Sequence, residues 1–537
     1  MPGLVPPIRP SSNPAPLRRW QQRALAEMVG WTTGSLLISA APGAGKTRPA
    51  LEFARRELGS GAIDAVVVAC PTAPLTRQWA RAAHALGIDL TPDAGSPRPP
   101  RGFHGVSVTY ARIAKAPRRW QNATTARTLV IVDEAHHLGE ELVWGESFAT
   151  AFAPANRWLL LSGTPFRSDA APIPGISYDA DGIAEPDVSY TYAEAVLDGV
   201  CRPVRFVAYD GTLSWRSGDD VIETSFETVL SKREASRRYR TAISTDLPDG
   251  LPRILREADG KLKGVRAAGH GDAGGLVIAA DSDHARRIAK LLREATGRVP
   301  VVVLHAEARA AAKLVEFTNS RDPWIVAVNM VSEGVDIPRL RVGVYASAAK
   351  TPLVFRQIVG RFVRTLRGGP AGASWLYLPA DPILRDHAAT VEQEVTHALR
   401  SRSGDGELAE LDRPERRETE PTDGLTFEPL SADVAPQMTL FGPAAAPAAA
   451  AAATPAPAVT AEPPDPVPPI PAFERRTRLR NERHRLVSEL ARRDGTSQRE
   501  VNAWLNRKLG ITSVERATLE QLERSVDLLM GRLTARR

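Results

Sequence analysis

The chain has 537 residues, of which 24% are charged, and a formal net charge of +7 that suits a polyanionic partner. This length exceeds what one hydrophobic core serves, so three or four folded units are expected. No apolar run is long enough to span a bilayer, the proline-rich start does not resemble a signal peptide, and two cysteines, Cys70 and Cys201, exclude a thiolate zinc cluster or a disulfide framework. We therefore expect a cytoplasmic protein without membrane segments.

The first part of the chain alternates strand and helix patterns. Residues 1–15 are rich in proline and serine and are expected to be disordered. Over residues 16–170, short β-branched runs such as "SLLIS", "AVVVAC" and "TLVIVDEA" alternate with amphipathic helical stretches. Continuous apolar strands separated by such helices predict a parallel sheet that is covered on both faces.

The rest of the chain divides into four stretches. Residues 171–272 are less regular and are interpreted as a connector or insert, whereas 273–398 repeat the strand and helix alternation. Residues 399–472 are first acidic and then Pro/Ala-rich, which predicts a disordered linker. Residues 473–537 return to amphipathic helices with 16 Lys/Arg against 9 Asp/Glu, so they hold essentially all of the net positive charge. This basic helical module, with Trp504 in "REVNAWLNRKLG", suits nucleic-acid binding or protein docking.

The stretch "SAAPGAGKT" lies where an apolar strand meets a helix. Phosphate binding at such a corner needs backbone N–H groups that point into a concavity, a lysine for the β/γ-phosphates and a hydroxyl for Mg²⁺. Gly43 and Gly45 allow close approach, Lys46 is the cation and Thr47 is the metal-facing hydroxyl, although Ala40 stands where the usual motif has its first glycine. The residues predicted to bind ATP here are Pro42, Gly43, Ala44, Gly45, Lys46 and Thr47.

A carboxylate pair follows a second apolar strand, in "TLVIVDEAHH". Asp133 is expected to hold the Mg²⁺ shell through water, and Glu134 to orient and deprotonate the attacking water. His136 and His137 are not expected to bind a metal, because no further ligands follow at suitable spacing. One imidazole is instead expected to form a polar link between lobes.

Taken in order, these stretches resemble the motifs of a superfamily two helicase over residues 17–395. "LRRWQ" resembles the motif that reads adenine, which implies that Gln21 contacts the base. "CPTAPLTRQW" and "VTY" resemble motifs of the first RecA-like lobe that contact the nucleic-acid strand, and "DEAH" is the Walker B box. "LSGTPFR" resembles the motif that couples hydrolysis to nucleic-acid binding, through Ser162 and Thr164, with His136 in the coupling set. The implied nucleic-acid contacts are Pro71, Thr72, Thr109 and Tyr110.

The second alternating region carries two further resemblances. "NMVSEGVDIP" is similar to motif five, with Glu333, Gly334 and Asp336, of which the last two are implied at the ATP site. "QIVGRFVR" is similar to motif six, and implies catalytic roles for Gln357, Arg361 and Arg364. The predicted fold is therefore α/β, with two tandem RecA-like parallel-sheet domains, a disordered linker and a small α-helical C-terminal module. The cofactors implied are ATP and Mg²⁺.

The chemistry of phosphoryl transfer agrees with this layout. Positive charge on the γ-phosphate stabilises the transition state, and the first lobe has no obvious arginine for that task. Arg361 and Arg364 are spaced to lie one turn apart on one face of a helix. If that helix faces the nucleotide, hydrolysis requires the lobes to close and phosphate release lets them part.

The sequences of these motifs resemble those of the type III restriction, XPB-like and RadD-like group more than those of the DEAD-box RNA helicases. This resemblance implies a monomeric ATP-dependent DNA helicase or translocase, with DNA as partner and DNA repair as a context. An RNA-dependent ATPase and an ATP-gated nucleic-acid clamp that recruits a partner remain alternatives. Stimulation of the ATPase by single-stranded DNA, duplex DNA or RNA discriminates among them.

The linker contains one isolated apolar peptide, "PQMTLFG". Its Gln437, Leu440 and Phe441 resemble the pentapeptide with which bacterial replication and repair proteins bind the sliding clamp. The resemblance implies that Leu440 and Phe441 fill an apolar pocket while Gln437 bonds at its rim. A chance apolar patch, or a segment that folds back on the core, is the alternative.

Overall fold

A computed structural model describes residues 6–11, 15–95, 97–140, 142–163, 172–180, 182–217, 220–304, 307, 309–328, 337–365, 372–402, 427–437, 470–511, 514 and 517–534. The chain forms two compact units. The first comprises Met1–Ala40, Gly45–Ser189 and Val459–Arg537, and the second comprises Ala41–Ala44 and Tyr190–Ala458.

The first unit is built around a seven-stranded sheet with the order β3-β4-β2-β5-β6-β1-β7. Its strands are β1 (Gly34–Ala40), β2 (Ala65–Cys70), β3 (Leu90–Pro92), β4 (Gly105–Thr109), β5 (Thr128–Asp133), β6 (Arg157–Ser162) and β7 (Val188–Tyr190). Its helices before residue 190 are α1 (Arg19–Gly30), α2 (Thr47–Gly59), α3 (Ala73–Ala85), α4 (Tyr110–Ala114), α5 (Pro117–Gln121), α6 (His137–Glu140) and α7 (Leu142–Phe152). The pairs from β3 to β1 are parallel, as the alternation predicts.

Register places three strand ends of this sheet side by side. Ser39 of β1 pairs with Ser162 of β6, and Asp133 of β5 pairs with Leu161 of β6. The strands are held in this register by a core that is buried on both faces of the sheet. One face of that core includes Leu37, Val67, Val106, Val130, Val132, Leu160, Phe148 and Phe152. The carboxyl ends of β1, β6 and β5 therefore form one edge, where ligand sites of α/β sheets occur.

The second unit contains an eight-stranded sheet with the order β11-β12-β10-β13-β14-β8-β15, and β9 pairs with β8. Its strands are β8 (Val204–Ser217), β9 (Asp220–Thr224), β10 (Gly274–Ala279), β11 (Val301–Val303), β12 (Trp324–Val328), β13 (Leu340–Ala346), β14 (Ser374–Pro379) and β15 (Phe427–Gln437). Its helices are α8 (Tyr192–Leu197), α9 (Lys232–Ala242), α10 (Leu251–Ala267), α11 (Ser282–Thr296), α12 (Ala310–Asn319), α13 (Pro352–Phe362) and α14 (Pro382–Arg402). The two parallel-dominated sheets confirm the predicted α/β fold.

Two features of this sheet differ from the sequence expectations. β8 lies within the stretch interpreted as an insert, but its first half pairs in parallel with β14, so it belongs to the second sheet. β15 lies within the stretch expected to be a disordered linker, and it pairs antiparallel with β8. Along β15, Ala432 and Val434 are buried whereas Asp433 is exposed. This alternation is typical of a strand, but so short a pattern does not identify a strand until its pairing with β8 is known. Gln437 is the last residue of β15, and Leu440 and Phe441 lie outside the described residues.

The predicted C-terminal module is a bundle of α15 (Ala472–Asp494), α16 (Gln498–Leu509) and α17 (Leu519–Thr534). Gly495 and Gly510 end α15 and α16 in the left-handed conformation that glycine adopts at least cost, and Ser497 caps α16. The core consists of Leu486, Val487, Leu490, Val501, Leu505, Val526 and Leu529. No helix among the described residues is both long and apolar enough to cross a membrane.

The module belongs to the first compact unit. Glu474 of α15 accepts a hydrogen bond from Arg81 of α3 at 2.7 Å. The guanidinium of Arg476, two residues later, lies 5.9 Å from the ring centre of Phe103 and donates to the carbonyl of Ala517 at 2.6 Å. Arg476 is buried; its contact with Phe103 joins the bundle to the sheet domain, and its bond to Ala517 lies within the bundle.

Candidate nucleotide site and nucleic-acid surface

The loop between β1 and α2 has the conformation that its glycines predict. Gly43 and Gly45 have φ of 81° and 87°, which residues with a side chain rarely adopt. Ala40 closes β1 as a buried strand residue without positive φ, so this position does not need the usual glycine. The helix α2 begins at Thr47, which places unsatisfied backbone N–H groups and the positive end of the helix dipole at the loop. This corner can hold an anionic group.

Lys46 and Glu134 meet at this edge of the sheet. The Lys46 ammonium lies 3.5 Å from Oε1 of Glu134 and 3.4 Å from the carbonyl oxygen of Ala40. Burial by itself raises the pKa of Glu134, but Lys46, His136 and His137 lower it to about 2. Glu134 is therefore an ionised acceptor at neutral pH.

Glu134 is held by the backbone as well as by charge. Its φ of 52° is a left-handed conformation that is strained for glutamate, and such strain clusters at functional sites. Its Oε2 accepts a hydrogen bond from the N–H of Gly163 at 3.2 Å and lies 3.7 Å from Nδ1 of His136. The same Nδ1 lies 3.3 Å from Oγ of Ser162, so a polar chain links Glu134 to the end of β6. Thr164, the other predicted coupling residue, lies outside the described residues.

Asp133 is clamped by two aromatic residues. Its Oδ2 accepts a hydrogen bond from the indole N–H of Trp79 at 2.7 Å, and its backbone carbonyl accepts one from the Tyr110 hydroxyl at 2.5 Å. Both aromatic residues are only 1% exposed. No sequence signal marks Trp79 for this role, because a tryptophan on the apolar face of α3 has the pattern of an ordinary core residue.

The donor set fits an Mg²⁺ ion that is held mainly by phosphates and water. Thr47 supplies a hydroxyl at the start of α2, and Asp133 supplies a carboxylate at the end of β5. Within the described residues, no group of three or more His, Cys, Asp or Glu side chains could hold a metal ion. Mg²⁺ commonly uses one or two carboxylates together with substrate phosphates, so such a sparse set is suitable.

Gln21, predicted to read adenine, is fixed against the phosphate loop. Its Nε2 donates to the carbonyl of Gly45 at 3.0 Å, and its Oε1 accepts from the backbone N–H of Arg18 at 3.0 Å. The side chain is 5% exposed. The structure thus brings Gln21 to the loop.

The predicted nucleic-acid residues are placed unequally. Pro71 and Thr72 lie between β2 and α3, Thr109 ends β4, and all three are half-buried. Tyr110 does not fit a direct contact, because its ring is buried and its hydroxyl bonds to the carbonyl of Asp133. A buried tyrosine hydroxyl needs a hydrogen-bond partner, and here that partner is the backbone carbonyl of Asp133 on β5.

Motif six also differs in detail from its prediction. Gln357 and Arg361 are in α13, but this helix ends at Phe362, so Arg364 does not continue the helical face. Arg364 instead forms an antiparallel bridge with Cys201.

The segment 200–202, which we call the motif-six strap, holds this backbone. The N–H of Arg202 donates to the carbonyl of Val363 at 2.7 Å, and Thr365 Oγ1 donates to the carbonyl of Val200 at 2.8 Å. No local sequence pattern predicts this pairing, because the motif-six strap and Arg364 are far apart in the sequence. Glu333, Gly334 and Asp336 of motif five lie outside the described residues.

Two parts of the chain match known protein families. Residues 15–167 match the family described as "Type III restriction enzyme, res subunit", and residues 269–365 match the "Helicase conserved C-terminal domain". These two matches support a superfamily two helicase. They support a nucleic-acid helicase or ATPase in general terms.

Relatives of this chain occur in mycobacteria. It is 43% identical over 407 residues to the "uncharacterized protein Rv2917" of Mycobacterium tuberculosis, which covers 74% of this chain and 66% of that protein. Among solved structures, it is similar to an HsdR subunit fragment of a type I restriction enzyme from Vibrio vulnificus (17% identity, TM-score 0.48, 72% and 67% of the two chains). It is also similar to Mss116p bound to single-stranded RNA and AMP-PNP (12% identity, TM-score 0.45, 71% and 77%).

Proposed function

We propose that this helicase-family protein is an ATP-dependent DNA helicase or translocase, which couples ATP hydrolysis to movement on nucleic acid. The observation that carries the proposal is the meeting of Lys46, Glu134 and the Gly43–Thr47 loop at the edge formed by β1, β6 and β5. An anion site, a cation and an ionised carboxylate at one edge are the elements of nucleotide hydrolysis.

The roles follow from the contacts. The loop N–H groups and Lys46 bind the β- and γ-phosphates, and Glu134 accepts a hydrogen bond from the attacking water. Mg²⁺, when bound near Thr47 and Asp133, neutralises charge on the phosphates. When Lys46 turns to a phosphate, it lowers the pKa of Glu134 less, because its positive charge is then shared. Glu134 thus becomes a stronger base when the nucleotide is in place.

Coupling to nucleic acid is assigned to the polar chain from Glu134 through His136 to Ser162. A displacement of the segment after β6 moves Gly163, whose N–H bonds to Glu134. Such a shift changes both the position and the basicity of the carboxylate. We assign the stabilisation of charge on the transferred phosphoryl group to Arg361 and Arg364, with Gln357 beside them.

The choice of DNA is supported by the match to a restriction-enzyme family over residues 15–167. The test measures ATP hydrolysis with single-stranded DNA, duplex DNA and RNA at equal nucleotide concentration and fixed salt. Stimulation by DNA well above RNA is expected, and a strand-displacement assay then separates helicase from translocase activity. Stimulation by RNA alone contradicts the DNA assignment, and no hydrolysis under any condition contradicts the ATPase.

A further inference from the structure

The C-terminal module contains a cavity of about 600 Å³ between α16 and α17. Its lining includes Trp504 and Lys508 from α16 and Arg524, Leu528 and Arg532 from α17. The volume lies within the range of small-ligand pockets and could hold one or two nucleotide units. The described helices form their own hydrophobic core beneath it, so the cavity is a concave surface of a folded bundle.

One wall of this groove is aromatic and flanked by cations. The ring of Trp504 is half-buried, with the Arg532 guanidinium 4.7 Å and the Lys508 ammonium 5.6 Å from the ring centroid. An aromatic ring beside cations is the arrangement that proteins use for single-stranded nucleic acids, because bases stack on the ring and phosphates pair with the cations.

The charge of the groove favours an anionic occupant. Three cations, Lys508, Arg524 and Arg532, line it against one carboxylate, Asp527. Arg524 lies 3.5 Å from Glu520, and both side chains are exposed, so this pair is weak and exchanges readily for a phosphate. Arg532 lies 3.5 Å from the half-buried Asp494 and over the ring of Trp504.

We propose that this groove binds a short stretch of single-stranded nucleic acid, with one base against Trp504 and adjacent phosphates at Lys508, Arg524 and Arg532. The bundle belongs to the first compact unit and is tied to α3 by Arg81 and Glu474, so the groove belongs to the unit that contains Thr72 and Thr109. The inference concerns binding and requires no ATP hydrolysis, so it can fail while the proposed ATPase function stands, and the reverse.

The first test locates the base. Full-length protein without nucleotide is irradiated with an oligothymidylate that carries 5-iodouracil, and cross-linked peptides are identified by mass spectrometry. The peptide that contains Trp504 is expected to be cross-linked, and excess unmodified oligothymidylate should suppress the product. Cross-links confined to other peptides overturn the proposal.

The second test measures the contribution of each group by fluorescence anisotropy of a labelled oligothymidylate across a salt series. Trp504→Leu is expected to weaken binding roughly 5- to 100-fold, the range for loss of one stacked base, and Trp504→Phe should restore most of it. Lys508→Ala should reduce the slope of log affinity against log salt by about 0.7, the value for one phosphate contact on a single strand.

The matched control is Arg485→Ala, which removes an exposed cation of α15 that does not line the groove. It should leave the salt slope close to that of the wild type. If Lys508→Ala and Arg485→Ala behave alike, the positive charge acts only diffusely and the specific groove is wrong. If Trp504→Leu unfolds the bundle, as circular dichroism would show, Lys508→Ala and the cross-link decide the question.

Discussion

The two sheet units position their motif residues by different means. In the first unit, the carboxylates at the end of β5 bond to side chains of the neighbouring loop and helix, as Glu134 does with Lys46 and Asp133 with Trp79 of α3. In the second unit, Arg364 lies beyond the end of α13, and its backbone is held by the strap at residues 200–202. The first arrangement follows from strand order, whereas the second depends on pairing between distant segments.

The largest expected effect tests the second arrangement. Arg364→Ala should lower ATP turnover by roughly 10³- to 10⁵-fold, the contribution of an arginine that stabilises phosphoryl-transfer charge, with ATP affinity kept within an order of magnitude. Arg361→Ala should act similarly and also weaken binding. Steady-state hydrolysis and nucleotide binding measure the two effects. Arg356→Ala in α13, whose side chain pairs with Glu394, is the control and should stay near wild-type turnover. Normal hydrolysis by both variants would refute the assignment.

The next effect concerns the first unit. Glu134→Gln should reduce turnover by roughly 10²- to 10⁴-fold, because the amide preserves the shape but cannot take a proton. ATP binding should persist, since Lys46 and the loop are unchanged. Glu146→Gln, an exposed acid on α7, is the matched control. A Glu134→Gln protein that hydrolyses ATP at the wild-type rate would show that another group is the base.

A smaller effect is expected for the two aromatic residues that donate hydrogen bonds to Asp133. Trp79→Phe removes a hydrogen bond to a buried carboxylate and should lower the free energy of unfolding by about 1.5–3 kcal/mol, partly through lost packing. Tyr110→Phe removes a bond to a neutral carbonyl and should cost about 0.5–1.5 kcal/mol. Urea denaturation measures both. Equal costs would mean that the charge of Asp133 does not strengthen the indole bond.

The last effect is the pH dependence of stability from Glu134. Its pKa is lowered from 4.5 to about 2 in the folded protein, so the carboxylate contributes stability above pH 4.5 that is lost as pH falls toward 2. Glu134→Gln cannot titrate, so the difference in unfolding free energy between wild type and variant should shift in favour of the variant across this window. Lys46→Met should narrow this window from its low-pH end, because the ammonium lowers the pKa of Glu134 in the folded protein. A difference that does not vary with pH would contradict the Lys46–Glu134 interaction.

Sequence patterns alone could predict the local parts of this protein. The glycines at 43 and 45, the carboxylates after β5 and the alternation of apolar runs depend on neighbours in the chain, so the loop, the two sheets and the C-terminal helices follow from the sequence. The order of the strands then places Ser162 of β6 between the ends of β5, with Asp133, and β1, with Ser39.

Tertiary structure alone decided the contacts between distant segments. The family resemblance implies a nucleic-acid contact for Tyr110, but its ring lies in the apolar core and its hydroxyl bonds to the carbonyl of Asp133 on β5. In the sequence, Trp79 has the pattern of a core residue, and only the fold shows that its indole N–H donates a hydrogen bond to Asp133. The sequence of β15 is typical of a linker, because its alternation of apolar and polar residues is short. Its hydrogen-bond partner, β8, lies more than two hundred residues earlier in the chain. Local patterns encode conformation through nearby sterics and hydrogen bonds, whereas the partner of a buried polar group or an edge strand is set by which surfaces the fold brings together.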